Sequence, residues 1–197
     1  MILSDGEIKE ALANKAIVID PAPSEKQYNA SAVDLRLKAE LYRLKTFAEL
    51  QAGQPPGAIL SLDVDPVTID IQQFLKKYTV AIDLQHEGYF RLMPQTFALG
   101  MTDEYVSFPK ISQIAARVEG RSTLARLGLT IHMTAPTIHC SFSGRILLEM
   151  YNFGEYPLRL APGMAICQLI LERLGRAPES DIKTAFMNQE NVVKADR

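Results

Sequence analysis

Apolar positions along this chain fall into short runs separated by turn residues, and the runs change character from one end to the other. From Tyr89 onward the pattern is strand-like: Tyr89 to Leu92, Thr96 to Thr102, Leu129 to Thr134, Gly144 to Asn152 and Ala165 to Leu171 are apolar stretches. Pro94, Pro109, Gly154, Pro157 and the pair Pro162-Gly163 punctuate them. Many short strands with regular breaks predict a closed or sandwiched antiparallel β fold, because closure removes exposed strand edges. One interruption, Ser122 to Leu127, reads as a short helix.

Before Tyr89 the pattern is mixed. Ile8, Ala11 and Leu12 form an apolar stripe behind Ser4 or Asp5, either of which can cap, with Glu7 in the first turn. That predicts a short helix ending near Asn14. Ile17-Val18-Ile19 is a β-branched strand stopped by Asp20-Pro21-Ala22-Pro23, since proline lacks a ladder donor. Ser31 to Leu37 alternates small or apolar with polar residues, as a half-buried strand does. Residues 46–88 combine a loop signal at Gly53-Gln54-Pro55-Pro56-Gly57 with mixed signals at Ile69-Asp70-Ile71 and Val80-Ala81-Ile82. We read this segment as an elaboration without chemistry of its own. After Leu174, Gly175 to Asp181 is loop-like and Asn188 to Arg197 is polar with little periodicity, a composition that predicts a mobile tail.

Composition narrows the class. A chain of 197 residues with 47% apolar content fits one domain with a packed core. Its net charge of -2 offers no global positive field for a nucleic-acid polymer or an anionic membrane surface. Cys140 and Cys167 make neither a disulfide framework nor a CxxC pair, which fits a reducing cytoplasm. The start Met1-Ile2-Leu3-Ser4 has no leader pattern, and no apolar run is long enough to span a bilayer.

Candidate chemistry concentrates in Glu119 to Leu129 and in the strand that follows. Gly120 gives backbone freedom, Ser122 can cap a helix, and Arg121 and Arg126 stand beside the free N–H groups of a helix start. Two readings are open: a phosphate site, or a plain N-cap with solvated arginines. Ser122 and Arg126 are i and i+4 and share a helix face. Glu149 lies in Ile146-Leu147-Leu148-Glu149-Met150-Tyr151, on the same strand face as Leu147 and Tyr151. A carboxylate among apolar neighbours suits proton transfer; an ordinary strand glutamate paired with a neighbouring cation is the other reading.

Several chemistries lack their residues. A zinc nucleobase deaminase needs an H-x-E and a later P-C-x-x-C, neither of which occurs. Adjacent His139 and Cys140 would point to opposite strand faces, and His86, His132 and His139 have no metal-binding spacing. A phosphate-binding G-x-x-x-x-G-K-[ST] loop and a G-x-S-x-G elbow are also missing.

Taken along the chain, these residues resemble the dCTP deaminases of the trimeric dUTPase superfamily. The resemblance runs through Leu3-Ser4-Asp5, Ile19-Asp20-Pro21, Asn29 to Leu37, Phe97 to Glu104, Glu119 to Leu129, His132-Met133-Thr134-Ala135-Pro136, Phe142-Ser143-Gly144, Leu148 to Asn152, Pro162-Gly163-Met164 and Gln168-Leu169. It implies a mainly-β, dUTPase-like distorted antiparallel barrel or jelly roll with a few short helices. Residues 1–174 would form that domain, with 46–88 as its elaboration and 175–197 as a tail closing over a nucleotide site. The implied activity is zinc-independent deamination of dCTP to dUTP and ammonia, with Glu149 as general acid/base. Ser122 and Arg126 would hold water and the base edge. Arg121, Thr134, Ala135, His139, Gln168 and Gln189 would contact the nucleotide, Ala135 through its backbone. Mg²⁺ would arrive with the triphosphate, and the assembly implied is a cytoplasmic homotrimer with sites between subunits.

The chain departs from the family pattern at identifiable positions. His139, in Ile138-His139-Cys140-Ser141-Phe142, stands where the family usually has the aspartate that holds the sugar 3′-hydroxyl. Ala185 and Phe186 stand where a phosphate-binding lysine and a tyrosine are common. Two other activities follow as alternatives: a dUTP/dCTP diphosphatase, disfavoured by His139, and a non-catalytic nucleotide-binding regulatory trimer.

Overall fold

The computed structural model describes residues 1–52, 54–55, 64–180, 188 and 190–193. Helix α1 (Asp5–Ala13) begins with a capping box: the Ser4 hydroxyl accepts from the Glu7 N–H, and the Glu7 carboxylate accepts from Ser4. Its Ile8 and Ala11 are buried, as the apolar stripe predicts. Strand β1 (Val18–Asp20) follows, then β2 (Tyr28–Asn29) and the long β3 (Ala32–Leu44). The 46–88 segment contains α2 (Phe47–Ala52), α3 (Ile71–Tyr78), β4 (Thr79–Asp83) and α4 (Leu84–Glu87). Asp70, read in sequence as part of a mixed signal, caps α3 by accepting from the Gln72 and Gln73 N–H groups. Gly53, Pro56 and Gly57 of the expected loop lie outside the described residues.

The remaining elements are mostly strands: β5 (Phe90–Leu92), β6 (Phe97–Ser107), β7 (Ile114–Gly120), β8 (Leu129–Thr130), β9 (Thr137–Ile138), β10 (Ser143–Asn152), β11 (Leu158–Leu160) and β12 (Ala165–Arg173). One α-helix, α5 (Ser122–Ala125), and a 3-10 turn at Lys110–Ser112 interrupt them. The main sheet is antiparallel and runs β8-β10-β6-β3-β12-β7-β9, with β1 on β6 and β2 and β4 on β3; β5 and β11 form a separate pair. This is the mainly-β, curled antiparallel architecture expected.

Strand β3 makes the curl. Its first half pairs with β12 and its second half with β4 and β6, and the register shifts between Leu37 and Leu41. An extra residue in one strand bends it and increases its twist. The half-buried alternation expected over Ser31 to Leu37 fails at its start, because Ala32, Val33, Asp34 and Leu35 are all buried. A central strand covered on both faces has no wet side to alternate with. The core inside the curl includes Val33, Leu35, Leu37, Phe108, Ile146, Leu148, Met150, Leu169 and Leu171. Among the described residues no helix is long and apolar enough to cross a membrane.

Candidate active site

Glu149 is positioned by two neighbours of β10. On its sheet side β10 runs antiparallel to β6, with Glu149 opposite Leu99. At its other edge β8 pairs with Tyr151 and Asn152, and beyond β8 the chain stays close: the Glu149 N–H donates to Ile131 O at 3.0 Å. Strand alternation buries Ile146, Leu148 and Met150 and leaves Arg145, Leu147, Glu149 and Tyr151 half-buried on the opposite face. The carboxylate is therefore reachable, and the Met133 N–H donates to its Oε2 at 3.2 Å.

Glu149 lines a cavity of ≈ 930 Å³ together with His132, Ala135, His139, Arg117 and Arg145. Thus the structure brings Glu149, Ala135 and His139 to one cavity, while Thr134 is exposed on the segment beside it. Just past the end of β9, His139 is exposed and Cys140 is 4% exposed, so the two do not face the same way. His132 places Nε2 at 3.7 Å from Glu119 Oε2, and its Nδ1 is buried without a hydrogen-bond partner among the described residues. Arg117 Nε lies 3.2 Å from Glu172 Oε1 on another wall.

A second group of candidates assembles elsewhere on the chain. Strand β7 stays paired through Gly120, which faces Cys167, so the backbone is still extended at Arg121 and the helix starts only after it. Arg121, not Ser122, therefore occupies the N-cap position, and no side chain caps α5. Ser122 is the first helical residue, which corrects the capping role expected for it. A helix of four residues also carries little macrodipole, so an anion here would depend on the arginines themselves. Ser122 and Arg126 are exposed and joined by an N–H to O bond of 3.1 Å along one face. Neither lines the Glu149 cavity.

Arg121 is half-buried and engaged by protein groups. Its Nη2 lies 3.1 Å from Asp34 Oδ2, and its Nη1 donates to Ala165 O at 3.4 Å. Gln168 reaches the same carboxylate, donating from Nε2 to Asp34 Oδ1 at 3.0 Å. Asp34 was missed in the sequence, where its alternating strand suggested an outward polar side chain.

Residues 188 and 190–193 of the polar end fold back onto the sheet. The Asn188 N–H donates to Ser143 O at 2.7 Å, Lys38 Nζ donates to Glu190 O and Asn191 Oδ1, and Arg145 Nε donates to Glu190 Oε2 at 2.9 Å. Val192 is buried in a cluster with Leu75, Leu99 and Met101, against which Leu147 packs. This docked segment crosses the strand face that carries Glu149, two residues from Leu147. Gln189, Ala185 and Phe186 lie outside the described residues.

Among the described residues no group of three or more His, Cys, Asp or Glu side chains could hold a metal ion. The Asp34 carboxylate already accepts from neutral and cationic side chains.

The curled antiparallel sheet carries a reachable carboxylate on β10 and, just beyond β7, an arginine held by a buried aspartate. The crystal structure of 2′-deoxycytidine 5′-triphosphate deaminase from Agrobacterium tumefaciens shares this fold, with a TM-score of 0.62 and 20% identity over 86% of this chain. This chain spans 47% of the length of that one. A family model described as dCTP deaminase-like matches residues 2–174. The "dCTP deaminase, dUMP-forming" of Methanobrevibacter smithii is 41% identical over 88% of this chain and 80% of its own length. The "dCTP deaminase" of Rhodospirillum rubrum is 37% identical over 88% and 83% respectively. The chain belongs to the dCTP deaminase-like family.

Proposed function

We propose that this protein deaminates dCTP hydrolytically to dUTP and ammonia, with Glu149 as the general acid/base. The observation that carries this reading is the reachable Glu149 carboxylate, held by the Met133 N–H on the wall of a cavity it shares with Ala135 and His139. The names of the relatives support the substrate class. Water adds across the C4–N3 double bond of cytosine, its oxygen to C4 and one proton, carried by Glu149, to N3. Glu149 then moves the proton of the new C4 hydroxyl to the amine. The C4–N bond breaks, ammonia leaves and a carbonyl remains, so dCTP and water become dUTP and ammonia. Positioned proton transfer of this kind contributes typically about 10²- to 10⁴-fold.

Ser122 and Arg126 would hold the water and the base edge, the Ala135 backbone would read the pyrimidine, and Arg121, Thr134, His139, Gln168 and Gln189 would bind sugar and phosphates. Mg²⁺ would be held by the triphosphate oxygens, and no zinc is invoked. Ser122 and Arg126 do not line the Glu149 cavity of their own chain, and this reading has neighbouring subunits of a homotrimer complete each site. The tail, already seated beside Leu147, would close over the nucleotide. The domain division at residue 174 and a cytoplasmic location belong to the same proposal.

The test is incubation with dCTP and Mg²⁺, following ammonia and identifying the nucleotide product. Ammonia with dUTP is expected; absence of ammonia over hours at high enzyme concentration defeats the reading. A second reading, formation of dUMP and pyrophosphate, is favoured by the names of several relatives. His139 argues against it here, since an imidazole stands where the family usually has a carboxylate at the sugar. Equimolar pyrophosphate would select it. Nucleotide binding without either product would select a regulatory trimer.

A further inference from the structure

Asp34 is a carboxylate with 5% exposure that the proposed chemistry does not use. Its Oδ2 faces Arg121 Nη2 at 3.1 Å, and its Oδ1 accepts from Gln168 Nε2 at 3.0 Å and from Asn29 Nδ2 at 2.9 Å. Register brings these groups together. Gln168 of β12 lies directly opposite Asp34 of β3 on one side and Glu119 of β7 on the other. Arg121 is two residues beyond Glu119, so its side chain returns to the same row. Two candidate ligand-binding residues, one in β12 and one just beyond β7, thus share one buried acceptor.

A second buried carboxylate offers a contrast. Glu104 is 0% exposed and accepts from Gln27 Nε2, the Arg36 N–H and Arg36 Nε. Arg36 belongs to β3 and Gln27 to the turn just before β2, and neither is a candidate binding residue. Burial alone therefore does not direct a carboxylate at the site; the choice of partners does.

We propose that Asp34 is a positioning residue of the nucleotide site: it pre-orients Arg121 and Gln168 so that their remaining donors meet the ligand's oxygens, without touching the ligand itself. A guanidinium has five N–H donors, and Asp34 and the Ala165 carbonyl engage only part of that set. An arginine on an unheld stem would lose its rotamer freedom on binding; here that loss is taken during folding. The inference rests on the nucleotide-binding reading above.

The test compares Asp34→Asn with the full-length wild type using dCTP and Mg²⁺. KM is expected to rise about 10- to 100-fold, the range for losing a charge-assisted contact, while kcat stays within about threefold. Glu104→Gln is expected to lower Tm and leave KM within about threefold. In a chain already carrying Arg121→Ala and Gln168→Ala, adding Asp34→Asn should change KM by less than about threefold, because the groups it positions are gone. An unchanged KM in Asp34→Asn, or the full rise in that background, overturns the proposal. Should Asp34→Asn fail to fold, Asn29→Ala removes one orienting donor from the exposed side, and a KM rise of about three- to tenfold is expected; no rise overturns the proposal. A wild type that binds dCTP without turning it over refutes the deaminase reading, and the same ratios read as Kd by calorimetry still decide the role of Asp34. A wild type that binds no nucleotide overturns both.

Discussion

The Met133 N–H and Glu149 Oε2 are joined at 3.2 Å, and the segment that supplies this donor is itself tied to β10 through Ile131 O and the Glu149 N–H. The carboxylate thus accepts from one backbone N–H while its own backbone is tied to the segment that supplies that donor, and a carboxamide of the same shape can keep the contact because its oxygen also accepts. Glu149→Gln should therefore leave dCTP affinity within about threefold by calorimetry. Turnover should fall by at least about 100-fold, since an amide cannot carry the proton. Retained turnover would remove Glu149 from the chemistry.

Val192 fixes the end of the chain on the face that carries Glu149. It is 1% exposed and packs with Leu75 of α3 and with Leu99 and Met101 of β6. An aspartate there would bury an unpaired charge, which costs more than the docked segment gains. Val192→Asp is expected to raise hydrogen exchange at residues 188–193 by at least about tenfold while protection in β6 and β10 is kept. Under the proposed closure it should also raise KM. Loss of protection throughout β6 would show instead that the segment belongs to the global core.

Legibility in the sequence followed solvent. Strand β10 was read correctly because one of its faces is wet and its side chains alternate, and α1 because its cap and stripe are local. Strand β7 was missed: Ala115 and Ala116 carry little β signal, and its pairing with β12 is set by contacts distant in sequence. The same limit applies to the site. Glu149, Ala135 and His139 were named together through family resemblance, and the structure places them at one cavity. The Asp34 cluster joins β3, β7 and β12, and the Val192 cluster joins the tail to the 46–88 segment, so neither has a local pattern. The cap of α5 was misread because β7 stays paired one residue before it, a tertiary constraint that overrides the local preference for serine.

Cys167 should be chemically silent. It is fully buried, and burial pushes its thiol up from the ordinary value, with the nearby Glu104 and Asp34 carboxylates adding to the rise. The folded chain holds the proton where the unfolded chain releases it. This contribution to stability is level below the unfolded thiol's value near ~8.5 and declines as pH rises above it. In a Cys140→Ser protein, an aromatic disulfide reagent at pH 8 is expected to leave Cys167 unlabelled over an hour and to label it completely in guanidinium. Rapid labelling of the folded protein would contradict the buried, protonated thiol.

The exit of α5 is seated on the turn after β10 by two glycines that cannot accept side chains. Gly128 has φ +94, and a Cβ there would lie 2.3 Å from the Gly154 nitrogen; a Cβ on Gly154 would lie 2.4 Å from Leu127 O. The contact is closed by Phe153 N–H donating to Gly128 O at 2.8 Å. Below it the buried Asn152 accepts from the Gly154 N–H at 2.9 Å and donates to Leu92 O and Tyr156 O. Gly128→Ala combines left-handed strain with displacement of a backbone, on the order of 3 kcal/mol together. For a chain of this length that is a Tm lower by about 6–12 °C. Gly175→Ala, where a Cβ meets nothing within 4 Å, should shift Tm by less than about 2 °C. Because this seat carries Ser122 and Arg126, Gly128→Ala should also raise KM for dCTP well below its melting range; a lowered Tm with unchanged KM would mean that the glycine contact serves stability alone.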